Sequence, residues 1–211
     1  GLAGLPAMWK LAARRREIDR AYRLPTAKVV THRHLGELIA RRFGQLSRFV
    51  PYGLPDGVFT PPESRPGGTP TVLVVGPTDV GWKRIPDALE AVRRLKQLLP
   101  VRLVRVAQHP MRDAERAAGV TDEYHTMLAP PQLAELYRAA DVLLCSSDET
   151  EGFGLPVLEA MACGLPCVVT DIPAFRTFAS PADYARFVPV GDPARMAAAV
   201  AELLESPAER E

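Results

Sequence analysis

Cysteine is scarce in this sequence, and the few that are present do not form a disulfide pattern. Cys145, Cys163 and Cys167 are three among 211 residues, an odd number, and all lie in apolar runs. This distribution indicates buried thiols in a reducing compartment, so we expect a cytoplasmic protein. Cys163 and Cys167 have a CxxxC spacing, but the Gly-Leu-Pro between them ends a helix, and no second Cys or His pair lies nearby. We therefore expect no metal site.

Long apolar runs and an excess of one charge are also absent. No run reaches the ~18 residues of a transmembrane helix. Lys and Arg total 26 against 25 Asp and Glu, so no overall field favours nucleic acid as a partner. The charge is uneven, because residues 1–50 carry 11 basic against 3 acidic residues. The stretch KLAARRREIDRAYR within them is open to two interpretations, a solvated face or a face that contacts anionic lipid at a membrane surface.

From residue 71 onward, short β-rich runs alternate with longer runs of helical periodicity. This alternation predicts an α/β fold with a parallel sheet covered on both faces. The predicted strands are residues 71–76, 101–107, 123–128, 141–147, 166–171 and 186–190. The predicted helices are residues 85–99, 131–140, 155–163 and 193–205.

The first 55 residues follow a different pattern. They predict helix, short strand, helix and short strand, which are too few elements to bury a doubly wound core. We therefore expect residues 1–55 to be a fragment of a second α/β domain. Residues 56–70 are rich in Pro and Gly and predict a linker, which leaves residues 71–211 as a complete domain.

The stretch ETEGFGLPVLEAMACGLPCVVTD places Glu151 and Glu159 around the start of a predicted helix. The first N–H groups of a helix lack internal acceptors and suit phosphate. Gly152 and Gly154 allow a ligand to approach the backbone closely. Glu159 lies roughly 6 Å along the helix axis, so a phosphate at the helix end would have a carboxylate on either side. A ligand with a central diphosphate and hydroxylated rings at both ends, such as a nucleotide sugar, fits this arrangement.

The same stretch resembles the E-x7-E signature of retaining GT-B glycosyltransferases, in particular the group 1 (family 4) class. Three other stretches are similar to that family: LAELYRAADVLLCSSDETEGFGLP, VLVVGPTDVGWKRIPDALEAVRRL and FVPYGLPDGVFTP. The resemblance implies a Rossmann-like, doubly wound C-terminal domain that binds the nucleotide sugar. It also implies that residues 1–55 are a remnant of the N-terminal acceptor domain, so we expect the chain to be part of a longer, bacterial protein.

The resemblance assigns roles to matching residues. Glu151, near the reacting carbon of the donor sugar, and Lys83, a cation for the departing diphosphate, would be catalytic. Glu159 would bind the ribose hydroxyls. The backbone N–H groups that would hold the sugar hydroxyls and the diphosphate belong to Gly152, Phe153, Gly154 and Leu155.

Three further assignments concern the rim of the donor site. Gly76 would lie at the donor site, at the end of the first strand of the domain. The family usually has an arginine shortly after that strand, whereas Pro77 follows here, so Arg84 is the candidate second cation. Met127 and Leu128 would line the base pocket.

The implied reaction is transfer of a sugar from a UDP-, GDP- or ADP-linked donor to an acceptor hydroxyl, with retention and without a metal or other cofactor. The acceptor is not predicted, and we expect the chain alone to bind nucleotide weakly and to transfer nothing. The alternative is a non-catalytic nucleotide- or sugar-binding module of the same fold. A Rossmann dehydrogenase is not favoured, because GPTDVG after the first strand is not the G-x-G-x-x-G that such an enzyme requires.

Overall fold

The computed structural model describes residues 5–65, 67–178 and 185–206, and the chain forms two compact units, Gly1–Tyr52 and Gly53–Glu211. The smaller unit has the element order expected from its sequence, and its two short strands pair in parallel. Its elements are α1 (Leu5–Arg23), β1 (Val29–Val30), α2 (Arg33–Phe43) and β2 (Arg48–Phe49).

The larger unit contains a six-stranded, fully parallel sheet with the order β5-β4-β3-β6-β7-β8. Its strands are β3 (Thr71–Val75), β4 (Arg102–Ala107), β5 (Glu123–Thr126), β6 (Val142–Cys145), β7 (Cys167–Thr170) and β8 (Ala185–Val188). Counted within the unit, this order is 3-2-1-4-5-6, the doubly wound Rossmann order. The predicted fold class is confirmed.

Helices cover both faces of this sheet. They are α3 (Ile85–Leu95), α4 (Asp113–Ala118), α5 (Pro130–Ala139), α6 (Leu155–Ala162) and α7 (Pro193–Glu205), with 3-10 turns at Gly81–Lys83 and Phe175–Thr177. α3 ends four residues earlier than its periodicity predicted, because the chain tightens into a turn ahead of Pro100. α4 was not predicted from the sequence. It is only six residues long and ends at Gly119 in the left-handed conformation.

The core lies in two layers, one on each face of the sheet. One layer joins alternate strand residues such as Val72 and Val74 to α3 and α7, including Leu95 and Val200. The other layer packs Leu73 and its counterparts on neighbouring strands against α5 and α6, and it contains all three cysteines. Their burial agrees with the expectation of unpaired thiols.

Segment 56–70, which is rich in Pro and Gly, belongs to the larger unit. Phe59 is buried in its core. Arg65 donates hydrogen bonds to the carbonyl oxygens of Ala140 (2.8 Å) and Cys163 (3.2 Å), just beyond the carboxyl ends of α5 and α6. These ends present carbonyls that lack partners within their helices. Burial lowers the pKa of Arg65 from its ordinary value.

Candidate active site

Two loops meet at the carboxyl edge of the sheet, where the strand order reverses. One follows β3 and runs into the 3-10 turn Gly81–Lys83, and the other, residues 146–154, follows β6 and leads into α6. β3 and β6 are adjacent strands, and the chain winds away from them in opposite directions. Such a switch point opens a crevice in which doubly wound proteins bind ligands. The topology therefore places a candidate site between these two loops.

Lys83 and Glu151 join the two loops. The Lys83 Nζ lies 2.7 Å from Glu151 Oε2, and the side chains are only 15% and 9% exposed. Ser147 Oγ donates a hydrogen bond of 2.9 Å to the same carboxylate oxygen. Burial alone would raise the pKa of Glu151, but the Lys83 charge and the bonds from Lys83 and Ser147 outweigh it and hold that pKa below its ordinary value. Glu151 is therefore an ionised, partnered carboxylate at neutral pH.

Additional hydrogen bonds hold the loops together around this ion pair. Ser146 Oγ donates to the carbonyl oxygens of Lys83 and Arg84, at 2.9 Å each. The backbone N–H of Asp148 donates to the carbonyl of Trp82 at 2.8 Å. The 3-10 turn that carries Lys83 is thus bonded directly to the loop that carries Glu151, which fixes the spacing between the two side chains.

The Gly-Phe-Gly turn leads directly into α6. Gly154 has φ +84° and occupies the N-cap position of α6, a conformation that favours glycine. The backbone of Phe153, one of the four predicted backbone donors, also helps to hold the pKa of Glu151 below its ordinary value. Leu155 opens the helix at the end that carries partial positive charge. This end of α6 therefore adds to the positive potential that Lys83 provides.

Glu159 lies one turn inside α6 and accepts a hydrogen bond from a buried tyrosine. The Tyr137 hydroxyl, on α5, donates a hydrogen bond of 2.7 Å to Glu159 Oε2. Burial raises the pKa of Glu159, while the Tyr137 bond and the Lys83 charge act in the opposite direction without offsetting it. Within the described residues, Glu159 Oε1 receives no hydrogen bond. One carboxylate oxygen is thus anchored and the other is available to a ligand.

The bond from Tyr137 yields a prediction about the acidity of Glu159. Replacing Tyr137 with Phe should raise the pKa of Glu159 further, because a hydrogen bond that favours the ionised form is lost. The measurement is a carboxyl-carbon NMR titration of Glu159 in both proteins. Tyr124→Phe is the matched control, since the Tyr124 hydroxyl donates to the His109 carbonyl instead. A Glu159 pKa that falls or stays constant in Tyr137→Phe would contradict the bond.

The structure does not bring Arg84 to the Lys83–Glu151 pair. Arg84 has φ +47° and follows the 3-10 turn, and its Nε lies 2.6 Å from Asp87 Oδ2. Its guanidinium also approaches Gly191, where an added Cβ would be 3.1 Å from an Arg84 terminal nitrogen. Adjacent residues point in different directions, and Arg84 accordingly has its own acidic partner.

Gly76, Met127 and Leu128 lie at the same edge of the sheet. Gly76 follows β3 with φ +141°, and the stem of Lys83 lies beside it. Met127 follows β5, two strands away, with φ +52° and 77% exposure. Leu128 packs beside it against the core layer under α5 and α6. The two residues predicted to line the base pocket thus lie at the same carboxyl edge of the sheet as the ion pair, but next to β5 rather than β3.

Ser147 and Tyr137, which partner the two glutamates, were not singled out from the sequence. Tyr137 did carry a signal, because a tyrosine at an apolar position of an amphipathic helix needs a partner for its hydroxyl. Ser147 directly follows a buried strand at the edge where ligands bind. Among the described residues there is no group of three His, Cys, Asp or Glu side chains that could hold a metal ion. In the same residues, no helix has the length and apolarity needed to cross a membrane.

The chain is similar to known proteins over much of its length. A family model described as "Glycosyl transferases group 1" matches residues 69–206. The chain belongs to this family. Among curated proteins, it is 33% identical over 167 residues, 76% of the chain, to an MMP alpha-(1->4)-mannosyltransferase of Mycolicibacterium hassiacum. It is 31% identical over 145 residues, 67% of the chain, to a phosphatidyl-myo-inositol mannosyltransferase of Mycobacterium leprae. It spans 40% and 39% of the length of these two relatives.

Solved structures show the same fold. The group 1 chain superposes on sucrose-phosphate synthase from Thermosynechococcus elongatus with a TM-score of 0.76 and 26% identity, covering 91% of this chain and 52% of that one. It also superposes on the C-terminal domain of a group 1 glycosyl transferase (LpcC) from Francisella tularensis with a TM-score of 0.60, covering 75% of this chain and 91% of that one. Identity there is 23%, so this second likeness concerns the fold alone.

Proposed function

We propose that this chain is the donor-binding half of a retaining glycosyltransferase that moves a sugar from a nucleotide sugar to an acceptor hydroxyl. One observation carries the proposal. Lys83 and Glu151 form a nearly buried ion pair at the switch point of the sheet, beside the N-terminus of α6, and Glu159 lies one turn inside that helix. A diphosphate needs fixed positive charge, and the rings on either side of it need hydroxyl acceptors. The two loops and the first turns of α6 offer both.

Each site residue contacts a different part of the donor. Glu159, with Oε2 held by Tyr137, offers Oε1 to the ribose hydroxyls. Lys83 and the N-terminus of α6 supply positive charge to the diphosphate, whose charge grows as the bond to the sugar breaks. Glu151 faces the donor sugar. We propose front-face attack by the acceptor, assisted by the leaving phosphate, with protein charges in place of a metal ion.

The acceptor side of the reaction belongs to the other domain of a GT-B enzyme. Because the chain spans about two fifths of its first curated relatives, we propose that by itself it binds donor nucleotide and does not transfer sugar. Both of these relatives are named as mannosyltransferases. Mannose is therefore the first sugar to test once the preferred base is known.

The experiment that tests this function is calorimetric titration of the chain with UDP, GDP and ADP. We expect one of them to bind selectively, and Glu159→Ala to lose about 1–3 kcal/mol of that binding, the range for a hydrogen bond to a charged group. Glu202→Ala on α7 is the control, an exposed helical glutamate on the opposite face of the sheet. If a folded sample binds none of the three, or if Glu159→Ala binds as well as the original chain, the proposal is wrong.

A non-catalytic nucleotide- or sugar-binding module is the second candidate. The observation that favours it is the shortage of positive charge for a diphosphate. Pro77 follows Gly76 where the family usually has an arginine, and Arg84 is paired with Asp87. Transfer to an acceptor, or hydrolysis of the donor, by a protein that carries this chain with a complete acceptor domain would exclude this candidate.

A further inference from the structure

Arg105 is a fully buried cation in the middle of β4, outside the candidate active site. It lies on the face of the sheet where its neighbour Leu103 joins the apolar core. Its side chain and that of Glu115, on α4, are both 0% exposed and form an ion pair at 2.8 Å. Burying such a pair costs several kcal/mol per ion unless further hydrogen bonds satisfy it, and apolar residues often serve stability equally well. Core packing alone therefore does not explain why this ion pair is present.

The acceptors of the other Arg105 hydrogen bonds lie at the end of β3 and in the loop that follows it. One terminal nitrogen donates to the Val74 carbonyl at 2.8 Å, and the other donates to the Gly76 carbonyl at 2.9 Å. The second nitrogen also lies 3.4 Å from Thr78 Oγ1, and that hydroxyl donates to Glu115 Oε2 at 2.5 Å. Thr78, Arg105 and Glu115, named here the Arg105 network, thus bind the end of β3 and the start of its loop at three points.

Lys83 depends on this loop for its position. Gly76, held by Arg105 through its carbonyl, donates its N–H to the Val106 carbonyl at 2.9 Å. The stem of Lys83 lies beside this glycine, because a Cβ added to Gly76 would be in van der Waals contact with Lys83 Cδ, at 3.5 Å. Residues of β4 therefore hold both the N–H and the carbonyl of Gly76, which lies beside Lys83, and one of these two residues is Arg105.

We propose that the Arg105 network is a positioning device, which fixes the loop after β3 and so places Lys83 for the diphosphate of a donor; this rests on the function proposed above. It acts through the backbone, without touching the ligand. Loss of the network should let Lys83 move away from Glu151 while the sheet and α6 stay intact.

The test uses Arg105→Met/Glu115→Leu, which removes both charges so that neither is left buried alone. The matched control is Arg102→Met/Glu123→Leu, an Arg–Glu pair that also joins β4 to a neighbouring element but is 50% and 40% exposed. The first readout is the pKa of Glu151 by carboxyl-carbon NMR, which needs no nucleotide. We expect it to rise in the network variant and to stay constant in the control. An unchanged Glu151 pKa in a folded network variant overturns the proposal.

The second readout is the gain in affinity that a β-phosphate gives, measured as the ratio of monophosphate to diphosphate Kd for the base that binds. We expect this ratio to fall roughly tenfold in the network variant, the scale for partners that orient the ligands of a charged site. A retained ratio, or equal losses for both nucleotides, overturns the positioning role. If the original chain binds no nucleotide, the donor-site proposal fails, and the Glu151 pKa still decides whether the network positions Lys83.

Thr78→Val is a milder variant that keeps the test possible if the double variant does not fold. It removes one hydroxyl from the network and leaves the Arg105–Glu115 ion pair in place. We expect a change of the same sign as in the double variant, and smaller, in both readouts. No change in either readout would count against the proposal.

Discussion

Replacing Lys83 with Met should lower the free energy of unfolding by about 3 kcal/mol at pH 7, the scale for removing one member of a buried ion pair. Glu151 would then be left ionised, nearly buried and without its cation. Ser147 would still donate to it, which compensates only in part. Denaturant unfolding of the two proteins measures the difference. Arg102→Met is the control, because this ion pair is 50% and 40% exposed and the expected cost is at most about 1 kcal/mol.

The effect of Lys83→Met should depend on pH with a defined sign. In the original chain the folded pKa of Glu151 is depressed, so its contribution to stability is present above the unfolded carboxyl pKa of about 4.3 and is lost as the pH falls through the folded value. Without Lys83, burial dominates and Glu151 takes up its proton at a higher pH, which relieves the buried charge. The stability difference should therefore shrink as the pH is lowered from 7 toward about 4. A difference that is constant or grows over this range would rule out the pair as its source.

The Lys83–Glu151 pair also shows how far the sequence could predict the site. Both residues were expected there on the strength of the E-x7-E motif and the resemblance. The doubly wound fold accounts for their meeting, since parallel strands bring the loops after β3 and β6 to one edge of the sheet. The direct contact between the two side chains was not predicted. It depends on the 3-10 turn and on hydrogen bonds from Ser146 and Asp148 that no local pattern indicates.

The residues of the Arg105 network, which sequence reasoning also missed, act over long separations. Arg105 and Glu115 are ten residues apart, and Arg105 reaches back 31 and 29 residues to Val74 and Gly76. In the sequence Arg105 interrupts an apolar strand, and nothing local indicates that its side chain is buried. Its burial follows only from packing under α4, a helix of six residues that is too short for periodicity to detect. Regular elements were predictable because their signal is local, and these supporting contacts were not because theirs is tertiary.

Replacing Gly154 with Ala should destabilise the larger unit by about 2–5 kcal/mol, for two independent reasons. Gly154 has φ +84°, and an L-residue in left-handed conformation costs roughly 1–2 kcal/mol. A Cβ would also overlap Cε1 of Phe175 and lie 3.0 Å from its Cδ1. Phe175 is fully buried in the core, so it can yield only by disturbing its neighbours, and such overpacking typically costs about 1–3 kcal/mol.

Gly152→Ala is the matched control for this change, two residues away in the same turn. A Cβ there meets nothing within 4 Å, and Gly152 is not among the residues with positive φ. We expect stability within about 0.5 kcal/mol of the original chain, or a small gain from a less flexible unfolded state. Thermal or denaturant unfolding of both variants provides the comparison. Equal effects of the two substitutions would mean that neither the left-handed conformation nor the Phe175 contact constrains the turn.

A double variant separates the two causes at Gly154. Phe175→Leu removes the part of the ring that the new Cβ would overlap, so in that background Gly154→Ala should cost only the conformational share, roughly 1–2 kcal/mol. The difference between the two backgrounds is then the steric share. If Gly154→Ala costs the same in both backgrounds, Phe175 is not what requires glycine at this position, and the backbone conformation alone accounts for the loss.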